Sequence, residues 1–159
     1  GLAAAYSIGR TGCWAVGDDY GRPWDSRWAV AFPNGYPPST VRNLVEGFGV
    51  KGLEGRNPLD VIAVHPTQLY EVAMGALMFW ILWKLRDHKH AEGWLFGLYC
   101  VFAGLERFVV EFFRAKDDRF VGPLTLAQTI ALLFALGGIV WMQMRRNVAE
   151  GKPGIHARA

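Results

Sequence analysis

The chain has 159 residues, of which 52% are hydrophobic and 19% are charged, so its length suits one domain. Its formal net charge of +3 at pH 7 comes from basic clusters between and after long apolar blocks, and it does not indicate a nucleic-acid partner. The two cysteines, Cys13 and Cys100, stand far apart without metal-ligand spacing, so we expect no disulfide, no metal site and no cofactor. Cys13 as an external catalytic thiol is an alternative, but no histidine lies near it in the sequence.

The chain begins with apolar residues and continues into a segment rich in glycine and proline. Residues 1–8 are typical of the last turns of a truncated transmembrane helix whose beginning lies upstream. Residues 9–64 predict an extracytoplasmic loop or head, because irregular backbone cannot face lipid with its polar groups unsatisfied. Within this segment Ser39 or Thr40 is expected to cap a short helix that is ended by Gly49. Four aromatic residues of the segment suit the membrane interface: Trp14, Tyr20, Trp24 and Trp28.

Three apolar blocks in residues 65–146 are long enough to cross a membrane. They predict transmembrane helices at about 66–85, 93–113 and 123–144, since about 20 helical residues span a hydrocarbon core of roughly 30 Å. Residues 147–159 follow as a cytoplasmic tail. The sequence therefore predicts an all-α integral membrane protein, a helical transmembrane bundle with an extracytoplasmic loop or arm region. The alternative is a soluble all-helical bundle, which the uniformly apolar third block does not favour.

Basic residues orient these helices. The connection at 84–90 and the tail after residue 144 are cationic, which places both in the cytoplasm, while the connection at 114–119 mixes both signs. The stretches 65–71 and 107–114 then lie at the same, outer leaflet. Two helices joined by a short loop are antiparallel neighbours, so we expect these two stretches to meet.

The stretch 65–71 carries polar side chains into the first span, where they are costly unless they are used. Its candidate site residues are His65, Gln68, Tyr70 and Glu71. Two of them also have simpler explanations, because a histidine at a helix start often has only a structural role and Glu71 suits the positive end of the helix dipole.

Arg107, Glu111 and Arg114 follow each other at i, i+4 and i+7, which places them along one stripe of the second span. An arginine within a membrane segment costs at least about 2.5 kcal/mol, so Arg107 needs a partner or a wet cavity. One interpretation is a structural ion pair with Glu111. The other is that Arg107 holds an anion, most naturally a phosphate, while Glu111 orients the guanidinium.

Arg10 is a second candidate anion-binding residue. The flanking Gly9 and Gly12 would let the backbone approach a ligand closely. An interfacial arginine that binds lipid headgroups without specificity is the alternative. Asp18 and Asp19 are equally ambiguous, because two acidic residues in a loop are usually only solvated.

Five runs, in this order along the chain, resemble prolipoprotein diacylglyceryl transferases and correspond to the C-terminal two thirds of that family. The runs HPTQLYE at 65–71 and RFVVEFFR at 107–114 are specific to it. They are accompanied by GRTGC at 9–13, GDDYGRP at 17–23 and LTLAQ at 124–128.

The resemblance implies a multi-pass transferase of the bacterial cytoplasmic (inner) membrane whose active site faces the outer leaflet. Such an enzyme transfers the diacylglyceryl group of phosphatidylglycerol to the lipobox cysteine thiol of prolipoproteins and releases glycerol phosphate, a step of lipoprotein biosynthesis. The implied partners are phosphatidylglycerol, prolipoprotein signal peptides with a lipobox cysteine, and membrane lipids, without cofactor, metal or nucleic acid.

Carried over position by position, the resemblance implies catalytic roles for Arg10, His65, Tyr70, Arg107 and Glu111. It implies substrate binding by Arg10, Asp18, Gly21, Gln68, Arg107 and Arg114. Two positions depart from the family, which usually has Asn at the position of Cys13 and Glu at that of Asp18. A hydrogen bond is lost at the first position, and the carboxylate at the second is one methylene shorter.

Other functions remain open from the sequence. A non-catalytic phospholipid-binding or scaffold protein would keep the arginines without the chemistry, and a divergent relative would use a different acceptor. A small transporter subunit could use Arg107 and Glu111 along a polar path, although no inverted repeat supports this reading.

Overall fold

The structure is a computed structural model that describes residues 1–87, 89–115 and 119–149. It is mostly helical, as predicted. The four long helices are α1 (Leu2–Val16), α2 (Thr67–Lys84), α3 (Trp94–Glu111) and α4 (Leu126–Ala149). The predicted tail 147–159 falls largely outside the described residues.

Short strands make the protein less purely helical than the all-α prediction. β1 (Val30–Ala31) pairs antiparallel with β2 (Ala63–Val64), with Val30 opposite Val64. β3 (Arg119–Val121) pairs antiparallel with β4 (Leu124–Thr125) directly before α4. These ladders satisfy backbone groups of irregular segments, which apolar periodicity alone does not reveal.

α1 continues to Val16 instead of ending at residue 8. Gly9 and Gly12 lie inside the helix, and a Cβ atom at either position would meet no protein atom within 4 Å. The space beside both glycines is therefore open, and the approach of a ligand to their backbone stays a prediction. The helix ends at Gly17, whose φ of 71° is in the left-handed region that favours glycine.

The three later helices coincide with the predicted helical segments to within about five residues, and that all three cross a membrane stays a prediction. By length and apolar composition, one described helix qualifies by itself as a membrane span, the Leu126–Arg146 part of α4, with a mean hydropathy of 1.6. Only 22% of that window is buried inside the protein, whereas the core helix of a soluble protein is mostly buried. α2 also exposes large apolar side chains, at Leu77, Trp80 and Trp83. This much exposed apolar surface favours a lipid environment over a soluble bundle.

α3 packs most extensively against α4, and the contact is close. A Cβ atom at Gly104 would lie 2.5 Å from the carbonyl oxygen of Ala131. Small residues allow helix backbones to touch in this way, which is a common means of joining helices in membranes.

The segment between α1 and α2 forms a compact head with its own apolar core. Its buried members are Tyr20, Phe32, Val41, Leu44, Leu53, Val64 and Ala115. Tyr20 is therefore a core residue and not an interfacial one, because its ring stacks on Phe32 and its hydroxyl lies 3.0 Å from the carbonyl oxygens of both Pro37 and Pro38, to either of which it can donate its one hydrogen. Burial raises the pKa of Tyr20 to about 12.

The other aromatic residues of the head differ in exposure. Trp14 packs edge-on against Phe32, and Trp28 remains 73% exposed.

The expected short helix is present as a single π-turn, Asn43–Gly47. It follows Thr40, whose hydroxyl accepts from the Asn43 amide at 3.4 Å.

Candidate functional site

The start of α2 lies against the end of α3, so the two polar stretches meet as predicted. The ring of Phe113 is 5.3 Å from the ring of His65 and 5.6 Å from that of Tyr70. The turn after α1 is bonded to both stretches, because the amide of Gly21 donates to the His65 carbonyl and that of Arg22 donates to the Phe113 carbonyl, each at 2.8 Å. The site therefore combines α1, this turn, α2 and α3.

Gly21 sits where these segments cross. A Cβ atom there would lie 2.3 Å from the carbonyl oxygen of Phe113 and 2.7 Å from Cβ of His65. The structure thus assigns Gly21 a packing role, since any side chain would force the turn away from both helices.

Asp19 joins two of the predicted arginines. Its carboxylate accepts from Arg10 at 2.9 Å and from Arg114 at 2.8 Å. Its backbone φ of 54° lies in the left-handed region, which Asp tolerates better than most residues do. Burial alone would raise the pKa of Asp19, but hydrogen bonds and charges from the two arginines outweigh burial and hold that pKa below its usual value.

The neighbouring Asp18 forms no ion pair among the described residues, although the resemblance pointed to it. Its backbone carbonyl accepts from the Gln68 side chain, while its own Oδ1 is buried without a hydrogen-bond partner. The residues alone left Asp18 and Asp19 ambiguous, the resemblance pointed to Asp18, and the ion-pairing role of Asp19 was missed.

We predict that Asp19→Asn destabilises the protein in a pH-dependent way. Because the folded-state pKa is depressed, Asp19 contributes stability above its unfolded pKa of about 3.9, and this contribution is lost as pH falls through the lower folded pKa. Thermal unfolding in detergent should therefore show the variant melting below wild type at pH 7, with the gap closing as the pH falls below the unfolded pKa of about 3.9. Asn keeps the tolerance for positive φ, so backbone strain is not added.

Asp18→Asn is the matched control for this measurement, because Asp18 forms no ion pair among the described residues, and it should melt closer to wild type at pH 7 than Asp19→Asn does. Equal melting of Asp19→Asn and wild type at pH 7 would contradict the ion-pairing role of Asp19.

Arg10 also binds Glu71, which is only 1% exposed. The same guanidinium lies 3.4 Å from Sγ of Cys13 and over the ring of Tyr6. Its Nε has no partner and neither does Oε2 of Glu71, although both atoms are buried. Orphaned buried polar atoms of this kind are typical of a site that receives water or a polar ligand.

Gln68 adds to this group of unsatisfied atoms. The residue is fully buried, and its Oε1 has no hydrogen-bond partner. Its neighbour Thr67 donates to the Asp19 carbonyl at 2.6 Å, which anchors the turn to the start of α2.

Arg107 pairs with Glu111 at 3.1 Å, in the orientation considered from the sequence. Glu111 is 6% exposed, while the side chain of Arg107 remains 35% exposed. Arg107 lines a cavity of about 160 Å³ together with Tyr6, Tyr99 and Glu106. Arg107 is thus paired with a buried carboxylate and also contributes to the wall of this cavity.

The start of α4 supports Glu111, which the sequence analysis did not foresee. The Thr125 hydroxyl donates to Oε1 of Glu111 at 3.3 Å, and the Thr125 amide donates to Gln128 at 3.1 Å. Thr125 and Gln128 both belong to the LTLAQ run at 124–128, and that run was the feature of the sequence that could have indicated their role.

His65 and Tyr70 contact each other and form part of the wall of a second cavity. Nδ1 of His65 and the Tyr70 hydroxyl share a hydrogen bond of 3.1 Å, and the imidazole stacks on Trp24 at 4.2 Å. The second cavity is apolar and has a volume of about 320 Å³. Burial lowers the pKa of His65, so the imidazole is neutral at pH 7 and adds no positive charge.

Ligand atoms of Cys13, Asp18 and Asp19 lie within 4.8 Å of one another, a spacing that could hold a metal ion. Asp19 is already paired with two guanidinium groups, however. Nearby positive charges oppose a cation and favour an anion, so we assign no metal to this cluster.

Comparison with known proteins identifies relatives of the chain. The model of the family "prolipoprotein diacylglyceryl transferase" matches residues 1–144. A phosphatidylglycerol–prolipoprotein diacylglyceryl transferase of Ruegeria pomeroyi is 33% identical over 91% of this chain and 50% of its own length. Proteins of the same name from Roseobacter denitrificans and Treponema denticola are 33% and 31% identical, over 94% and 84% of this chain and 52% and 41% of their own lengths. The chain spans about half the length of these relatives, which is less than the two thirds expected from its motifs.

Proposed function

This chain belongs to the prolipoprotein diacylglyceryl transferase family, and we propose that it transfers the diacylglyceryl group of phosphatidylglycerol to the lipobox cysteine thiol of a prolipoprotein. In this reaction the thiolate sulfur attacks the diacylglyceryl carbon that carries the phosphate ester. The carbon–oxygen bond breaks, glycerol phosphate leaves with the electron pair, and the thiol proton passes to a base. The protein must therefore bind a lipid phosphate and stabilise the negative charge of the leaving group.

The single observation that carries this proposal is that Arg107 is paired with buried Glu111 and also lines a cavity. A guanidinium has five N–H donors, and Nη2 of Arg107 lies 3.1 Å from Oε2 of Glu111 as an ion pair, although that oxygen has no hydrogen-bond partner among the described residues. Arg107 lines the cavity shared with Tyr6 and Glu106, and its side chain is 35% exposed. A guanidinium that is oriented by a carboxylate at the wall of a cavity is suited to a phosphate, because its planar group can donate two parallel hydrogen bonds to phosphate oxygens.

Arg10 is the second proposed phosphate ligand. Asp19 and Glu71 hold its guanidinium from two sides and leave Nε without a partner. Arg114 shares Asp19 with Arg10, so we propose that it positions the turn and adds positive charge for the approaching headgroup. Asp18, Gly21 and Gln68 complete the proposed substrate-binding region.

His65 and Tyr70 have a supporting role in this proposal. Their apolar cavity, which Met74 and Val110 also line, suits an apolar part of the lipid or of the signal peptide. The neutral imidazole of His65 is hydrogen-bonded to Tyr70, which orients both rings.

We propose that the protein lies in the bacterial inner membrane with three or more spans and with this site at the outer leaflet. The exposed apolar surface of α2 and α4 supports the membrane location. The basic residues after α2 and at the end of α4 support the orientation.

The test is transfer by the complete protein from vesicles to a lipobox peptide. With phosphatidylglycerol vesicles we expect a thioether-linked diacylglyceryl peptide by mass spectrometry, and a Cys→Ser peptide should stay unmodified because an alcohol is the weaker nucleophile. Phosphatidylethanolamine vesicles are the lipid control. Equal transfer from both lipids would refute the proposed donor, and lipid binding without transfer would support a non-catalytic relative.

A further inference from the structure

Side chains from three helices meet at one phenol hydroxyl. Oη of Tyr6 on α1 is 3.1 Å from Oε1 of Glu71 on α2 and 2.9 Å from Oε1 of Glu106 on α3. Both carboxyl groups are buried, with Glu71 1% and Glu106 8% exposed. Glu106 took no part in the site as described from the sequence or in the proposed reaction.

A count of protons shows that these contacts need one more hydrogen than the phenol has. Tyr6 carries one O–H and can donate it to one of the two carboxyl oxygens. If both carboxyl groups were ionised, the other short contact would join two oxygen atoms with no hydrogen between them, in a buried setting where such repulsion is strong. A proton on one carboxyl group removes this conflict.

The ion pairs decide which carboxyl group holds the proton. Oε1 of Glu71 accepts from the Arg10 guanidinium as well as from Tyr6, so its negative charge is compensated. Glu106 forms no ion pair among residues 1–87, 89–115 and 119–149, and the adjacent Arg107 is directed to Glu111. A buried carboxyl group without a cation is the one that becomes neutral.

We propose that Glu106 carries a proton in the resting protein and acts as a positioning residue through Tyr6. Its O–H donates to the Tyr6 hydroxyl, Tyr6 donates to Glu71, and Glu71 accepts from Arg10. The chain of donors then runs in one direction and fixes the carboxylate that holds the Arg10 guanidinium.

The proton also sets the charge that a phosphate meets. Three arginines and three carboxylates form the ion pairs of the site: Arg10, Arg107 and Arg114 with Asp19, Glu71 and Glu111. Their charges cancel, so an ionised Glu106 would make this group negative at the wall of the cavity that Arg107 lines. A neutral Glu106 leaves Arg107 free to attract an anion, and this consequence rests on the proposed function.

Infrared spectroscopy of the complete protein in lipid tests the proton directly. The groups that face Glu106 are Tyr6 and Arg10 on α1, Glu71 on α2 and Arg107 on α3 itself. Wild type should show the C=O stretch of a protonated carboxyl group, shifted by exchange into D2O. Glu106→Gln should lose this band, and the control Glu111→Gln should keep it, because Glu111 is paired with Arg107. A wild-type spectrum without the band, or an unchanged spectrum in Glu106→Gln, overturns the proposal.

Tyr6→Phe gives a second reading that does not depend on the folding of Glu106→Gln. The proton loses its acceptor oxygen in this variant, so the band should move in frequency, and an unmoved band overturns the proposal.

Transfer assays test the positioning role separately. Gln is neutral and retains an N–H donor, so Glu106→Ala should lose about tenfold more activity than Glu106→Gln. Equal losses overturn the positioning role, whereas failure of wild type to use phosphatidylglycerol overturns the proposed function and leaves the infrared result decisive for the proton.

Discussion

Arg107→Ala is expected to lower diacylglyceryl transfer by about 10²-fold, which is the usual cost of removing one preorganised donor for developing negative charge. The Arg107 side chain is 35% exposed and lines the cavity, and its removal takes away the N–H donors proposed for the phosphate. It also leaves the buried carboxylate of Glu111 without its cation and with Thr125 as its remaining described partner. The site then carries a net negative charge, which repels a phosphate. Steady-state transfer to a lipobox peptide by the complete protein measures the effect.

Two companion variants sharpen this result. Arg107→Lys keeps the charge but loses the planar fork, so its rate should fall between those of wild type and Arg107→Ala. Arg86→Ala is the matched control, because Arg86 pairs with the adjacent Asp87 and is 50% exposed at the other end of α2. Transfer at the wild-type rate by Arg107→Ala would remove Arg107 from the site.

Arg10→Ala should lower both activity and stability. Removal of one partner of a buried ion pair costs about 3–5 kcal/mol, because the other charge is left uncompensated. Here the abandoned charge is that of Glu71, which is 1% exposed, and Asp19 loses one of its two arginines. We therefore expect a lower melting temperature in detergent together with a loss of transfer.

A double variant separates the two effects of Arg10. In Arg10→Ala with Glu71→Gln the abandoned charge is removed, so melting should recover toward wild type while transfer stays low. Recovery of transfer to the wild-type rate would show that Arg10 serves only to compensate Glu71. Unchanged melting of Arg10→Ala alone would contradict the buried ion pair.

The helices and the meeting of their polar ends could be predicted from the sequence because both follow from apolar length and short connections. The apolar blocks of residues 65–146 became α2, α3 and α4 within a few residues of the predicted bounds. The contact of His65 and Tyr70 with Phe113 follows from that arrangement. Arg107 and Glu111 are spaced for contact on any helix, and they do form a pair.

The end of α1 could not be predicted, because local sequence was outweighed by packing. Gly9 and Gly12 favour a helix end, yet α1 continues through them. The helix is held along α2 by contacts such as that of the Ser7 hydroxyl with the Val72 carbonyl at 2.9 Å. Tertiary contacts of this kind are invisible to a local pattern.

The choice between Asp18 and Asp19 was also beyond the sequence. The two residues are chemically identical, and only the left-handed turn at Gly17 and Asp19 directs one carboxylate toward Arg10 and Arg114. The proton balance at Tyr6 likewise needs three helices in place, because Glu71 and Glu106 are distant in the sequence.

Arg10 and Arg107 are proposed to hold the phosphate of the donor lipid, and a structure of the complete protein with bound phosphatidylglycerol shows whether they do. We predict the phosphate oxygens within about 3 Å of guanidinium nitrogens of both arginines, with Glu111 still paired to Arg107. A phosphate bound elsewhere, with both arginines engaged only by their present carboxylates, would contradict the proposed role of Arg10 and Arg107 as phosphate ligands.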